Sequence, residues 1–318
     1  MPIKLKETIP QLELEVATQN GETFPICAGL GVQLHYESKS GQLFLGDSVE
    51  WMKSLPAASV DLVFADPPYN VKKADWDHFE SHNQYVAWSH LWITEACRLL
   101  KPTGTLYVCG YSEILASVLV SAMPMFEGCR WLVWHYKNKA NLGGDWGRSH
   151  ESIIHLRKGK THTFNVDPVR ISYGAHTLKY PEHPQAETSQ YGGNGNGKPR
   201  ENWKPHPLGA KPKDVFDIPT TCNGMGEKTP HPTQKPEELV RKLVLASSDP
   251  GNLVLDPFSG SGTTATVAEQ LGRRWLACDN NQQYNEWAIQ RLGRVVRRSV
   301  AEWVRFDAET VQRRESIR

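Results

Sequence analysis

No run of about 18 apolar residues occurs in this 318-residue chain, which argues against a membrane-spanning helix. The segment Met1 to Pro10 mixes lysines and a glutamate with apolar side chains and lacks the apolar core of a signal peptide, so a cytoplasmic location is expected. The six cysteines, Cys27, Cys97, Cys109, Cys129, Cys222 and Cys278, include no Cys-x-x-Cys spacing. That removes support for a zinc site or a thioredoxin-like site, and no metal is expected. Most of the cysteines sit in apolar stretches and read as reduced thiols in or near the core. A strong net charge is lacking too: 36 Lys and Arg against 35 Asp and Glu give +1. A surface for a polyanion therefore has to come from clustering.

One cluster is present. Arg291, Arg294, Arg297, Arg298, Arg305, Arg313, Arg314 and Arg318 crowd the C-terminal end and read either as a polyanion-facing surface or as a solvated basic tail. The eleven tryptophans leave the same choice between core and interface. Hydrophobic residues at 39% and charged residues at 22% are ordinary for a globular protein. The length suits one large domain with an insertion, or two modest domains.

Residues 1–40 show no clear period and read as an extension. From Gln42 the pattern changes. Residues 42–46 predict a strand, and 48–55 a helix with Val49, Met52 and Leu55 on one face. Val60 to Ala65 is an apolar run broken only by Asp61, which suits a strand buried on both faces of a parallel sheet. A helix over 82–100 stops at Lys101-Pro102-Thr103-Gly104. Strands are expected at 105–109, 130–136 and 152–156, a helix at 114–123, and a loop at 137–149. Residues 160–230 hold Gly192-Gly193-Asn194-Gly195-Asn196-Gly197 and many prolines, and show little period; a loop region of that length is functional or disordered. Regularity resumes with helices at 237–247, 263–271 and 281–292 and strands at 253–255 and 275–278. Strands alternating with helices predict an α/β fold with a doubly wound, mostly parallel sheet.

Two strand ends carry candidate chemistry. Asp256-Pro257-Phe258-Ser259-Gly260-Ser261-Gly262 leads from a strand into a helix. Gly260 and Gly262 allow a sharp turn and close approach of backbone to a ligand, and the helix points its N–H groups and positive dipole end there. Asp279 follows about 17 residues after Gly262, where a carboxylate meets ribose hydroxyls. The turn is not Gly-x-Gly-x-x-Gly, and Asp256 would repel a pyrophosphate but bind an ammonium. An adenosine cofactor with a methionine moiety, S-adenosylmethionine, fits better than a dinucleotide. At the other strand end, Asp66-Pro67-Pro68-Tyr69 forms a rigid corner, because consecutive prolines continue neither a helix nor a central strand.

Asp66-Pro67-Pro68-Tyr69 resembles the catalytic motif of DNA methyltransferases that act on exocyclic amino groups. Residues 256–264 look like that family's S-adenosylmethionine motif, and His231-Pro232-Thr233-Gln234-Lys235-Pro236 is similar to the segment that precedes it in the beta class. The catalytic motif comes first and the cofactor motif last, a circular permutation of the commoner order. The resemblance covers roughly residues 42–159 and 231–293. It implies a Rossmann-like, S-adenosylmethionine-dependent methyltransferase fold, circularly permuted, with a loop-rich insertion. It also implies five segments: an extension (1–40), a catalytic half (41–159), a target-recognition region (160–230), a cofactor half (231–293) and a basic tail (294–318).

The implied reaction is methylation of adenine N6 in duplex DNA after the base is rotated out of the stack. Cytosine N4 is open as the alternative, since the chemistry is the same. RNA or protein methylation, and a catalytically dead DNA-binding relative, stand further off. Asp66 and the Pro67 carbonyl would accept the amine N–H bonds, with Pro68 holding the corner and Tyr69 stacking on the base. Asn70 adds a contact or caps the turn. Cytosine C5 chemistry needs a cysteine, normally after a proline, and no Pro-Cys pair occurs. The cofactor is expected to meet Asp47, His231, Thr233, Gln234, Lys235, Asp256, Phe258, Ser259, Gly260, Ser261, Gly262, Thr263 and Asp279; Asp47 reads equally as a helix N-cap. Lys139, Arg148, Lys198, Arg200 and Lys204 are candidate DNA contacts. A homodimer and a companion restriction enzyme are further expectations.

Overall fold

The computed structural model describes residues 16–17, 23–24, 31–71, 77–136, 144, 146–181, 204–299 and 301–303. In chain order the strands are β1 (Val16–Ala17), β2 (Thr23–Phe24), β3 (Gln33–Glu37), β4 (Gly41–Leu45), β5 (Val60–Ala65), β6 (Leu100–Gly110), β7 (Gly128–His135), β8 (His150–Arg157), β9 (Val215–Asp217), β10 (Leu253–Asp256) and β11 (Arg274–Asp279). The helices are α1 (Ser48–Ser54), α2 (His82–Leu99), α3 (Ser112–Ala122), α4 (Ala175–Lys179), α5 (Glu237–Ser247), α6 (Thr263–Gln270) and α7 (Gln282–Leu292). Apart from the separate β1-β2 pair, the strands form one sheet in the order β3-β4-β11-β10-β5-β6-β8-β7-β9. The run from β4 to β6 is parallel throughout, while β3, β8 and β7 introduce antiparallel pairings. This is the doubly wound, mostly parallel sheet that the alternating pattern predicts.

Alternation along the buried strands splits the core into two layers. Leu62 and Phe64 of β5 pack on one face with Leu239, Val240, Leu243 and Val244 of α5 and Ala265, Val267 and Ala268 of α6. Val63 and Ala65 pack on the other face with Trp51 and Met52 of α1, Trp92, Ile93 and Ala96 of α2, and Leu115 and Val118 of α3. Both faces of β5 are thus covered, which is why its sequence is a continuous apolar run. Among the tryptophans, Trp51, Trp92 and Trp275 are fully buried, whereas Trp146 is exposed.

Asp61, the one charged residue in that run, has a structural duty. It takes Lys101 Nζ from β6 at 2.8 and 2.9 Å and accepts the Leu253 N–H of β10 at 2.9 Å. One carboxylate therefore ties the starts of three neighbouring strands.

Three regions differ from the sequence reading. Residues 33–37 lie within the expected extension but form the antiparallel edge strand β3, turning back onto β4 through Ser38, whose backbone N–H donates to the Gly41 carbonyl at 2.8 Å. Residues 215–217 lie within the loop-rich insertion yet add the strand β9 parallel to β7. The Lys101-Pro102-Thr103-Gly104 stop is drawn into β6, with Leu100 paired to Val60 across an irregularity. Each is a short segment ordered by a neighbour rather than by its own period. Among the described residues, no helix is long and apolar enough to cross a membrane.

Replacing Asp61 with Ala leaves the buried Leu253 N–H and the Lys101 ammonium without their acceptor. Stability is expected to fall by about 1–3 kcal/mol, read as a lower denaturant midpoint with an unchanged slope. An unchanged midpoint would show that Asp61 does not hold the strands together.

Candidate active site

The Asp-Pro-Pro-Tyr corner begins where β5 ends. After Ala65 the chain runs through Asp66-Pro67-Pro68-Tyr69 to Asn70, whose backbone is left-handed (φ 56°) and whose Oδ1 accepts the Phe79 N–H at 2.8 Å. That bond returns the chain toward α2 and fixes the corner. Tyr69 folds back over Asp66. Its hydroxyl lies 2.7 Å from Asp66 Oδ1 and 3.0 Å from Oε2 of Glu151, on β8. Burial and then the two carboxylates push the Tyr69 phenol well above its ordinary range.

Lys235 closes the corner from the segment before α5. Its Nζ lies 2.7 Å from Asp66 Oδ2 and 3.3 Å from Glu151 Oε2, and its side chain is 5% exposed. Burial disfavours the ammonium, but Asp66 and Glu151 outweigh it and raise the Lys235 pKa. The ammonium is a fixed charge at any physiological pH. It also lies 5.3 Å from the Tyr69 ring centroid and 5.9 Å from that of Trp134. On its other side Tyr69 meets Tyr111 edge-on at 5.1 Å, and the Arg148 guanidinium sits 3.9 Å over the Tyr111 ring.

The glycine-rich turn follows β10. Gly260 and Gly262 have positive φ of 51° and 72°. A Cβ on Gly262 would come within 2.5 Å of the Ala288 Cβ on α7, so only glycine lets α6 start there. The Gly260 N–H donates to Asp279 Oδ2 at 2.7 Å, and the Asn281 N–H to Oδ1 at 2.9 Å. Asp256 Oδ1 accepts the Phe258 N–H at 3.0 Å. Burial pushes Asp256 up to about 7, against the hydrogen bond from the Phe258 N–H. Burial likewise pushes Asp279 up to about 6. Among the described residues neither carboxylate has an ion-pair partner. Both are therefore suited to a ligand that brings its own cation and hydroxyls.

Both motifs line one cleft, open at its mouth. Asp66, Pro67, Pro68 and Tyr69 share its lining with Asp256, Phe258, Ser259, Gly260, Ser261, Thr263 and Asp279, and with Asp47, His231, Thr233, Gln234 and Lys235. The sheet order explains the meeting. β5 and β10 are adjacent and parallel, with Leu62 beside Val254 and Val63 beside Leu255. Their carboxyl ends open the crevice where chain winding reverses, the usual ligand position in open α/β sheets.

The model of the N6/N4 DNA methylase family matches residues 60–290. The chain is 35% identical over 250 residues to the Type II methyltransferase M1.MboII of Moraxella bovis, covering 74% of this chain and 90% of that one. It is 32% identical to the Type II methyltransferase M.HpaI of Haemophilus parainfluenzae (79% and 74% covered) and 31% identical to the DNA adenine methyltransferase YhdJ of Escherichia coli (78% and 81% covered). Two solved structures share the fold. One is PvuII DNA methyltransferase (cytosine-N4-specific), with a TM-score of 0.60 at 19% identity, covering 79% of this chain and 86% of that one. The other is a DNA modification methylase of Thermus thermophilus complexed with S-adenosyl-L-methionine, with a TM-score of 0.52 at 24% identity and 79% and 93% covered.

The chain belongs to the N6/N4 DNA methylase family.

Within this DNA methylase the expected site residues fall into distinct places. Gln234 lines the cleft but spends its amide on the loop: Oε1 accepts from the Thr229 N–H and hydroxyl, and Nε2 donates to the Glu227 carbonyl. His231 packs edge-on to Tyr284 at 4.4 Å, accepts the Thr233 N–H at Nδ1, and is pushed down to about 4 by burial. Asp47 caps α1, accepting from Val49 and Glu50 at 2.9 Å each, and also faces the cleft. Of the candidate DNA contacts, Arg148 stands beside the catalytic corner and pairs with Glu113. Lys204 is exposed and away from the cleft, and Lys139, Lys198 and Arg200 lie outside the described residues.

Of the arginine cluster, Arg305, Arg313, Arg314 and Arg318 lie outside the described residues, and Arg291, Arg297 and Arg298 have separate structural partners. Arg291 is an internal clamp: its guanidinium donates to the Ser261 carbonyl at 3.0 Å, Thr263 Oγ1 at 2.9 Å and Glu237 at 2.7 Å. Arg297 pairs with Glu269, and Arg298 covers Trp303. Sequence reasoning missed Glu151, Trp88 and Phe79. Nothing in the strand His150–Arg157 marks Glu151 as other than a polar residue in an alternating pattern.

Asp256 makes this site sensitive to pH. Its folded pKa, about 7, lies above the ordinary carboxylate value of 3.8, so between those values the folded state holds a proton that the unfolded chain has released. The Asp256 contribution to the stability of the ligand-free protein therefore rises as pH falls through about 7. His231 and His155 oppose this as pH falls through their ordinary 6.5, because burial lowers their folded pKa values. Between about pH 8 and pH 6.5, acidification should therefore stabilise Asp256→Asn less than wild type in thermal unfolding; the same pH dependence in both would locate the proton elsewhere.

Proposed function

We propose that this enzyme transfers the methyl group of S-adenosylmethionine to N6 of adenine in duplex DNA, with the base rotated into the cleft. The carrying observation is the approach of Asp66 to the glycine-rich turn in a single cleft. The base assignment is supported by the Asp-Pro-Pro-Tyr sequence of the corner and by the likeness to YhdJ, named as an adenine methyltransferase. Likeness to M1.MboII and M.HpaI, both named Type II methyltransferases, supports a place beside a restriction enzyme.

When bound, S-adenosylmethionine supplies an electrophilic methyl on a sulfonium. Asp256 is suited to its ammonium and Asp279 to its ribose hydroxyls, since the one is a buried and the other a half-buried carboxylate without a cation partner among the described residues. An exocyclic amine is a poor nucleophile because its lone pair is conjugated with the ring. Asp66 and the Pro67 carbonyl accept its two N–H bonds and favour a tetrahedral nitrogen with a free lone pair. The Asp66 oxygens already accept from Tyr69 and Lys235, but each carboxylate oxygen has a second lone pair to offer. Tyr69, fixed by Asp66, Glu151 and Tyr111, offers a preset ring face to the base, and Phe258 is held against Trp88 and Trp92 at 5.6 and 5.3 Å.

The test is to incubate the protein with unmethylated genomic DNA and the methyl donor, then identify the nucleosides by mass spectrometry. N6-methyladenine is expected with wild-type protein and not with Asp66→Ala. N4-methylcytosine in its place would overturn the base assignment, and neither product, with donor bound, would overturn DNA as substrate.

A further inference from the structure

The catalytic corner holds more negative charge than its motif supplies. Lys235 is a single buried ammonium, and two carboxylates share it: Asp66 at 2.7 Å and Glu151 at 3.3 Å. Among the described residues Glu151 has no second cationic partner. Tyr69 gives one hydroxyl hydrogen to the same two acids. His231, which also faces this cluster, is neutral because burial lowers its pKa, and Cys109 behind it is kept a thiol by burial. The group Asp66-Lys235-Glu151 thus carries one surplus negative charge. With Asp66 alone, Lys235 would neutralise it.

We propose that Glu151 is a positioning residue that sets the charge of the corner, drawing part of the Lys235 ammonium away from Asp66 so that Asp66 keeps its full strength as an acceptor. The proposal rests on the reading of the site as an amino methyltransferase. In that reaction the amine nitrogen gives its lone pair to the methyl carbon. The pair of the carbon–sulfur bond stays on sulfur, and positive charge moves to nitrogen until a proton leaves it for Asp66. A negative cluster beside that path favours a cationic donor over the neutral thioether product, and favours charge on the nitrogen. Burying two acids with one base costs stability; the arrangement is explained if the surplus charge serves the reaction.

The experiment compares wild-type protein, Glu151→Gln and the double variant Glu151→Gln/Lys235→Met. Titration calorimetry gives the affinity ratio of S-adenosylmethionine to S-adenosylhomocysteine, which differ by the sulfonium charge, and single-turnover methylation gives the rate. Glu151→Gln should lose about tenfold of the ratio and of the rate. The double variant has lost one acid and the base, so the surplus charge returns; it should be faster and more discriminating than Glu151→Gln alone. Equal ratios in wild type and Glu151→Gln would overturn the proposal, as would a double variant no better than the single. If Glu151→Gln does not fold, Glu151→Asp, which keeps the charge, must retain the ratio, and its loss in folded protein overturns the proposal. Wild-type protein that discriminates between the two ligands but leaves DNA unmethylated overturns the functional reading, while the ratio still judges Glu151.

Discussion

Everything at this site depends on the parallel pairing of β5 with β10. Their sequences lie about 190 residues apart, yet Leu62 and Val63 stand beside Val254 and Leu255. This puts Asp66 and Asp256 at adjacent strand ends, facing the same crevice. The pairing is secured at its other end by Asp61, which reaches Leu253 of β10 and Lys101 of β6. β11, late in the chain, lies parallel to β4, near its start, so the first and last parts of the fold form one continuous sheet. A permuted order of motifs is harmless to the chemistry because the sheet, not the chain, sets who is next to whom.

The cleft is built from buried charge of two kinds. At the corner, two acids share one base, and Lys235 is locked in its charged form. At the turn, Asp256 is buried and Asp279 half-buried, neither with a base among the described residues, and their raised pKa values record that want. The first kind holds geometry before any ligand arrives; the second gains most when a cation arrives. Rigid glycine geometry, held by Arg291 on Ser261 and Thr263, keeps the turn open to a ligand.

Much of this was legible in the sequence because it depends on local signals. The run Val60–Ala65, the Asp-Pro-Pro-Tyr corner and the two-glycine turn each declare a strand end or a sharp turn through composition alone. Helix α5 and its neighbours follow from apolar period. What was not legible depends on partners distant in sequence. Glu151 is one polar residue in a strand, and its meaning comes from Lys235, 84 positions on. Arg291 reads as one of a basic cluster until α7 packs it against the turn. β3 and β9 are short strands ordered by the neighbours they pair with. Asp47 is the helix cap that one reading expected, and it also lines the cleft.

On the proposed reading, the two strand ends of this one cleft have separate duties: binding at Asp256 and chemistry at Asp66. Single-turnover transfer of labelled methyl to DNA, followed against donor concentration, tests this most directly. Asp256→Asn should regain rate as donor is raised, whereas Asp66→Asn should stay slow at saturating donor. An Asp66→Asn protein that reaches the wild-type rate would contradict the assignment of chemistry to the β5 corner.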